Sequence, residues 1–239
     1  MQQRLPSLLP SPIGFAHRGA SAHTRENTIE SFVLAVGLGA TGLESDVWLT
    51  RDGVAVLDHD GLVRNWPKKW IRDTEFADLP GHIPTVVELF QLAGNLQISL
   101  DIKEPRAMEE VHKLAQLHLV NPKNLWICHP SLNQVAIWCR EFDAVRYLHS
   151  TRLHKLIDNP ERHAANLMQL TIDGLNMHHT DWTGGLVTLF HRFGRVAFAW
   201  DLQHEMTLEN LMRMGVDGVY SDWVDKMTDS LSANAHRPV

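Results

Sequence analysis

Only two cysteines, Cys128 and Cys139, occur in 239 residues, and they lie eleven positions apart. That excludes a disulfide scaffold, fits no metal-knuckle spacing, and makes a reducing compartment the plainer setting. No run of about 18 or more apolar residues exists, so no membrane span is expected. The opening MQQRLPSLLPSPIG lacks the continuous apolar stretch of a signal peptide, and a cytoplasmic location is expected. Basic residues are the minority, Lys+Arg 22 against Asp+Glu 28, for a formal net charge of −6. Without clustered Lys and Arg a nucleic-acid partner is not expected, although a small local anion site remains open. Low-complexity linkers are also missing, and the length suits one domain over 1–239.

What is there is an alternation of short apolar runs with amphipathic segments, the pattern of a parallel sheet. Candidate strands are Gly14–Ala16, Gly42–Leu49, Val54–Leu57, Gln97–Ile102, Leu125–Cys128, Val145–Leu148, Gly174–Met177, Val196–Trp200 and Gly218–Ser221. Asp52-Gly53 is a two-residue hairpin signal, so Val54–Leu57 should run antiparallel to the strand before it. Eight strands separated by helices remain. The expected fold is a (β/α)8 TIM barrel with an added β-hairpin after the second barrel strand. Asn27 with Glu30, Thr85 with Glu88, and Thr207 followed by Leu208, Leu211 and Met212 up to Gly215 read as helix starts.

Active sites of such barrels lie at the C-terminal ends of the strands. There the sequence offers His17-Arg18-Gly19, then Glu44 and Asp46, two apart on one strand and hence on one face. If Asp52-Gly53 forms the whole loop, Arg51 pairs with Val54 and Asp46 lies opposite His59, which brings a histidine beside two acids. Asp101 and Lys103 repeat the two-residue spacing on the next barrel strand. Three carboxylates make a hard oxygen site suited to Mg²⁺ or Ca²⁺, and Arg18 with Lys103 supplies positive charge for an anion. Two histidines, a divalent ion and a cation pair together suggest phosphodiester cleavage by general acid–base catalysis. Trp200 reads as a barrel-wall aromatic or a substrate-stacking ring. His178 and His179 read as residues that end a strand, His191 as a helix residue, and both cysteines as buried apolar-like side chains.

Taken in order, Phe15-Ala-His-Arg-Gly-Ala20, Glu26-Asn-Thr28, Gly42-Leu-Glu-Ser-Asp-Val47, Leu49-Thr-Arg-Asp-Gly53, His59-Asp60, Pro84-Thr85, Asp101-Ile-Lys103 and Gly215-Val-Asp-Gly218 through Ser221-Asp222 resemble the glycerophosphodiester phosphodiesterase family. The series covers nearly the whole chain. The resemblance implies a TIM barrel that uses a divalent metal to hydrolyse glycerophosphodiesters, small molecules, to glycerol 3-phosphate and an alcohol. Carried over residue by residue, it makes His17 and His59 the acid–base pair, Glu44, Asp46 and Asp101 the metal ligands, and Arg18 and Lys103 the phosphate ligands.

The chain also departs from the family pattern. Asp101 stands where Glu is usual, one methylene shorter, and spider-venom type phospholipases D resemble this chain in having Asp there. Arg25 replaces a usual Pro, and His129-Pro130 replaces a common Ser-Phe pair. Trp200-Asp201-Leu202-Gln203 keeps only the Trp of Trp-Thr-Val-Asn. The short stretch between Asp60 and Thr85 implies an open mouth. Hydrolysis of lysophospholipids, or phosphodiester binding with weak catalysis, are the alternatives these departures raise.

Overall fold

The computed structural model describes residues 5–117 and 120–235. Eight parallel strands close a barrel: β1 (Ile13–Ala16), β2 (Gly42–Leu49), β6 (Gln97–Ile102), β7 (Leu125–His129), β8 (Arg146–Thr151), β9 (Gly174–His178), β10 (Val196–Trp200) and β11 (Gly218–Ser221). The pairing of β1 with both β11 and β2 closes the ring. β3 (Ala55–Leu57) adds antiparallel to β2, and its other side is held by Val56–Thr85 bridging, so the extra strand presents no open edge. A small hairpin of β4 (Leu62–Asn65) and β5 (Lys68–Trp70) follows. The short stretch before Thr85 is therefore structured rather than a plain loop.

Helices α1 (Ile29–Gly37), α2 (Val86–Ala93), α3 (Ala107–Gln116), α4 (Leu132–Glu141), α5 (Pro160–Gln169), α6 (Gly184–Arg192), α7 (Glu205–Met214) and α8 (Val224–Ala235) form the outer ring. The Thr85 capping box at α2 is present as expected: Glu88 N donates to Thr85 Oγ1 at 3.2 Å and Thr85 N donates to Glu88 Oε2 at 2.7 Å. Two helix starts differ from expectation. Thr28, not Asn27, caps α1 by accepting from Ser31 N, and Thr207 lies inside the first turn of α7. Gly215 does end α7, in the left-handed conformation that a glycine adopts without cost.

Alternate strand residues divide the core in two. Leu43, Val47, Leu100, Ile127 and Leu175 face the helices, while Phe15, Trp126, Leu148, Phe198 and Tyr220 fill the barrel interior. Phe15 and Tyr220 stack at 4.8 Å between centroids, and Gly42 faces that layer because a Cβ there would lie 2.5 Å from the Phe15 ring. At the other end of the barrel, the fully buried Asp217 accepts from Ser7 Oγ, Leu8 N, His191 Nε2 and Ala197 N at 2.6–2.8 Å, tying the N-terminal segment to α6 and β10. With the interior filled by aromatics, polar strand-end residues have one place to converge, the C-terminal mouth.

Candidate active site

A cavity of about 420 Å³ opens there. His17, Arg18, Glu44, Asp46, His59, Asp101, Lys103 and Trp200 all line it, so the structure brings these eight sequence-predicted site residues into one place.

His17 continues β1 by donating its N–H to Ser221 O at 3.0 Å; the chain then turns sharply through Arg18 and Gly19, at φ +56° and +81°. Gly19 permits that turn, since a Cβ would sit 2.2 Å from Ser31 Oγ. The His17 ring is oriented by Asp222, whose Oδ1 lies 2.6 Å from Nδ1. A carboxylate there requires Nδ1 to carry a proton, which makes Nε2, 3.9 Å from Glu44 Oε2, the nitrogen that exchanges a proton with the cavity. Burial alone would lower the His17 pKa, but Glu44 and Asp222 outweigh it and raise it above the ordinary imidazole value. Burial would raise the Asp222 carboxyl, yet the His17, Ser21 and Gln203 hydrogen bonds hold it below the usual range.

The acidic side of the cavity is crowded. Glu44 and Asp46 are buried on β2, and Asp101 lies in register with Asp46 on β6. Lys103 Nζ bridges Asp46 at 2.9 Å and Asp101 at 2.5 Å. Arg18 lies 3.4 Å from Asp46 through Nε and 2.9 Å from Glu26 through Nη1, while its backbone N–H donates to Glu44 Oε2 at 2.9 Å. These contacts leave the acids under-compensated. Burial first, and then the neighbouring charge of Asp46, push the Glu44 carboxyl up to about 7 against the pull of His17. Asp101 Oδ1 is buried without a hydrogen-bond partner. An orphaned carboxylate oxygen beside two further buried carboxyls makes an all-oxygen donor set, which fits a hard divalent ion.

His59 reaches the cavity, but not by the expected route. Three residues, Arg51-Asp52-Gly53, form the hairpin loop: Thr50 N donates to Val54 O, and Gly53 takes φ +85°. The register is therefore Val47 with Leu57 and Leu49 with Ala55, which sets Asp58 and not His59 beside Asp46. Asp52 fixes the loop by accepting from Thr50 Oγ1 at 2.7 Å and from Phe76 N at 3.0 Å. The chain bends after Leu57, and that bend turns His59 into the cavity, its Nδ1 2.8 Å from Asp60.

Trp200 forms the opposite rim, with the His178 ring edge-on at 4.6 Å and the Arg152 guanidinium 5.8 Å over its face. Sequence reasoning missed Asp222, Gln203 and the second role of Asn27. Asn27 sits at φ +52°, accepts from Ser45 Oγ at 2.6 Å and lies 3.5 Å from Asp46, so it braces the acid pair rather than capping a helix. Asp222 was recoverable from its place directly after a barrel strand. Cys128 lines the cavity floor, but burial pushes its thiol up to about 12, which removes it as a nucleophile.

The model of the Glycerophosphoryl diester phosphodiesterase family matches residues 17–226. Among curated proteins, "Glycerophosphodiester phosphodiesterase" of Caldanaerobacter subterraneus subsp. tengcongensis is 24% identical over 242 residues, covering 87% of this chain and 92% of that one. "Probable glycerophosphodiester phosphodiesterase 2" of Mycobacterium tuberculosis is 29% identical over 253 residues, covering 92% and 91%. Among solved structures, a glycerophosphodiester phosphodiesterase from Thermotoga maritima superposes with a TM-score of 0.79 at 26% identity, covering 92% of this chain and 99% of its own.

Proposed function

The chain belongs to the glycerophosphoryl diester phosphodiesterase family, a family of phosphoric diester hydrolases, and from that premise we propose how its residues carry the reaction. The substrate is a small glycerophosphodiester, cleaved to sn-glycerol 3-phosphate and an alcohol. Glu44, Asp46 and Asp101 would hold one Mg²⁺ or Ca²⁺; Arg18 and Lys103 would bind the phosphate. Such an ion would supply positive charge to offset the charge growing on the phosphoryl oxygens. His17, whose pKa its carboxylate neighbours raise, starts as the acid, and His59 starts as the base. As the glycerol 2-hydroxyl oxygen bonds to phosphorus, His59 takes its proton and His17 gives one to the departing alcohol oxygen. The cyclic phosphate is then opened by water, with the two histidines exchanging roles.

The observation that carries this reading is the orphaned Asp101 Oδ1 beside the under-compensated Glu44, in the cavity that both histidines line. Free Cys128 and Cys139 support a cytoplasmic setting. None of the described helices is long and apolar enough to cross a membrane, and the acidic chain supports a small-molecule substrate over nucleic acid. The test uses purified protein, glycerophosphocholine and Mg²⁺ or Ca²⁺ with coupled detection of glycerol 3-phosphate. Turnover should vanish with chelator and with His17→Ala. An aryl phosphodiester, whose leaving group needs no acid, should partly rescue His17→Ala but not His59→Ala; equal rescue of both overturns the assigned roles.

One observation favours a second reading. A neighbouring cavity of about 720 Å³ shares Ser150 and Trp200 with the first and is lined by Leu132, Leu156 and Ile157. An acyl chain of a lysophospholipid would lie there, and release of choline from lysophosphatidylcholine, compared with glycerophosphocholine, distinguishes the two substrates.

A further inference from the structure

The geometry points to a second cation site, chemically unlike the first, at His178, His179 and Asp201. One ligand atom from each of these residues lies within 4.8 Å of the other two. His178 ends β9, His179 follows it, and Asp201 comes directly after Trp200, which pairs with His178 across β10 and β9. Backbone geometry therefore holds the three donors together without a long loop. The two rings stack at 4.4 Å, and His178 Nε2 is 3.0 Å from Asp201 Oδ2. A tetrahedral ion with bonds of ~2.0–2.1 Å spaces its donors ~3.3 Å apart, close to that contact.

Two further features suit a ligand set. His178 Nδ1 lies 2.8 Å from Thr180 Oγ1 and 3.3 Å from Thr180 N, whose N–H it accepts here; once Nε2 binds an ion the ring proton stands on Nδ1 and is donated to Thr180 Oγ1. The proton that Nε2 shares with Asp201 moves to Nδ1 by a change of tautomer, so the ring stays neutral. The His179 imidazole makes no hydrogen bond among the described residues, so its donor nitrogen is available at no cost in broken contacts.

Two imidazoles and one carboxylate select a transition ion of the zinc class, whereas three carboxylates select Mg²⁺ or Ca²⁺. Around the ring the strands run β1, β2, β6, β7, β8, β9, β10, β11. Glu44 and Asp101 stand on β2 and β6; His178 and Asp201 stand on β9 and after β10, four strands away. The two sites thus face each other across the mouth and are not a paired-metal centre, in which the ions sit ~3.5–4 Å apart. Asp201 lines the catalytic cavity, so an ion held there would bring its charge to the rim that meets the substrate. The ion turns a local charge of −1 at Asp201 into +1. The bare rim favours a cationic alcohol over Trp200; the loaded rim favours an alcohol that carries a carboxylate or phosphate.

Co²⁺ titration in the presence of excess Mg²⁺ tests the site by its visible absorption, whether or not the chain turns over a phosphodiester. One equivalent should give the strong bands of a four-coordinate ion in the wild type and in Glu44→Gln, and Zn²⁺ should bleach them. The bands should disappear in His179→Ala and in Asp201→Asn, a half-buried and an exposed position, with folding checked by circular dichroism. Absence of the bands in the wild type, their survival in His179→Ala, or their loss in Glu44→Gln overturns the assignment.

Discussion

Asp222→Asn is the sharpest probe of the histidine geometry. The wild-type carboxylate can only accept, so it forces the His17 proton onto Nδ1 across the 2.6 Å contact. An amide carries no negative charge and can instead present its NH₂ group to Nδ1, which favours the neutral ring over the imidazolium that serves as the acid. A charge-assisted hydrogen bond is worth about 1.5–3 kcal/mol, or about 10- to 150-fold at 1.36 kcal/mol per tenfold. General acid–base catalysis supplies about 10²–10⁴-fold in total, which sets the ceiling. We expect kcat to fall about 100-fold with little change in KM. The pH profile adds a signed expectation. Asp222 is among the groups that raise the His17 pKa, so its loss lowers that pKa. The acid is then deprotonated at lower pH, and the alkaline limb of kcat shifts down. Steady-state kinetics of Asp222→Asn from pH 5 to 9 decide the matter: an unchanged kcat, or a loss with an unmoved alkaline limb, refutes the orienting role.

Three other outcomes are expected. Asp217→Ala leaves His191 Nε2 and the Leu8 and Ala197 N–H groups without their buried acceptor, and urea unfolding should record a loss of about 3–5 kcal/mol. His149, buried against His163 and Pro130 O, has its pKa lowered to about 4 by burial first and by His163 second. A folded pKa below the unfolded 6.5 means stability is lost as pH falls from 6.5 toward 4, by about 3 kcal/mol in full. His149→Gln should flatten that part of the stability–pH curve, and a curve as steep as the wild type's would contradict the account. Glu44, raised to about 7 in the folded state, costs the ion-free protein stability as pH rises from the ordinary carboxylate range through 7. The rise in Tm on adding Mg²⁺ or Ca²⁺ should therefore be larger at pH 8 than at pH 5.5, by scanning calorimetry; equal rises would argue against an ion at that carboxylate.

Much of the barrel is legible because each strand carries its own signal. Gln97–Ile102, Val196–Trp200 and Gly218–Ser221 match the observed strands end to end. Local grammar failed where tertiary contacts overrode it. Asp52-Gly53 has the composition of a two-residue turn, but Asp52 also accepts from Phe76 N, a contact from 24 residues away, and the loop takes three residues. Asn27 has the composition of a cap, but Ser45 and Asp46 recruit its amide. The β4–β5 hairpin, whose strands contain Arg64, Lys68 and Lys69, lacks the alternation that marks a strand. In the site, charged pairs at two-residue spacing were readable on one strand. Position after a barrel strand places Asp222 at the mouth, but its pairing with His17, 205 residues away, was not readable.

The order of strands around the mouth divides the molecule by purpose. Every group proposed to handle phosphorus or its protons comes from β1, β2, β6 and the hairpin behind β2, closed by Asp222 after β11. The second cavity, Arg152, Trp200 and Asp201 come from β7 to β10, one uninterrupted length of chain. Exchange of residues 125–203 as a block would graft another relative's alcohol selectivity onto an intact reaction centre, provided that the seams survive: Gln203 with Asp222, His191 and Ala197 with Asp217, and Phe198 against Phe15.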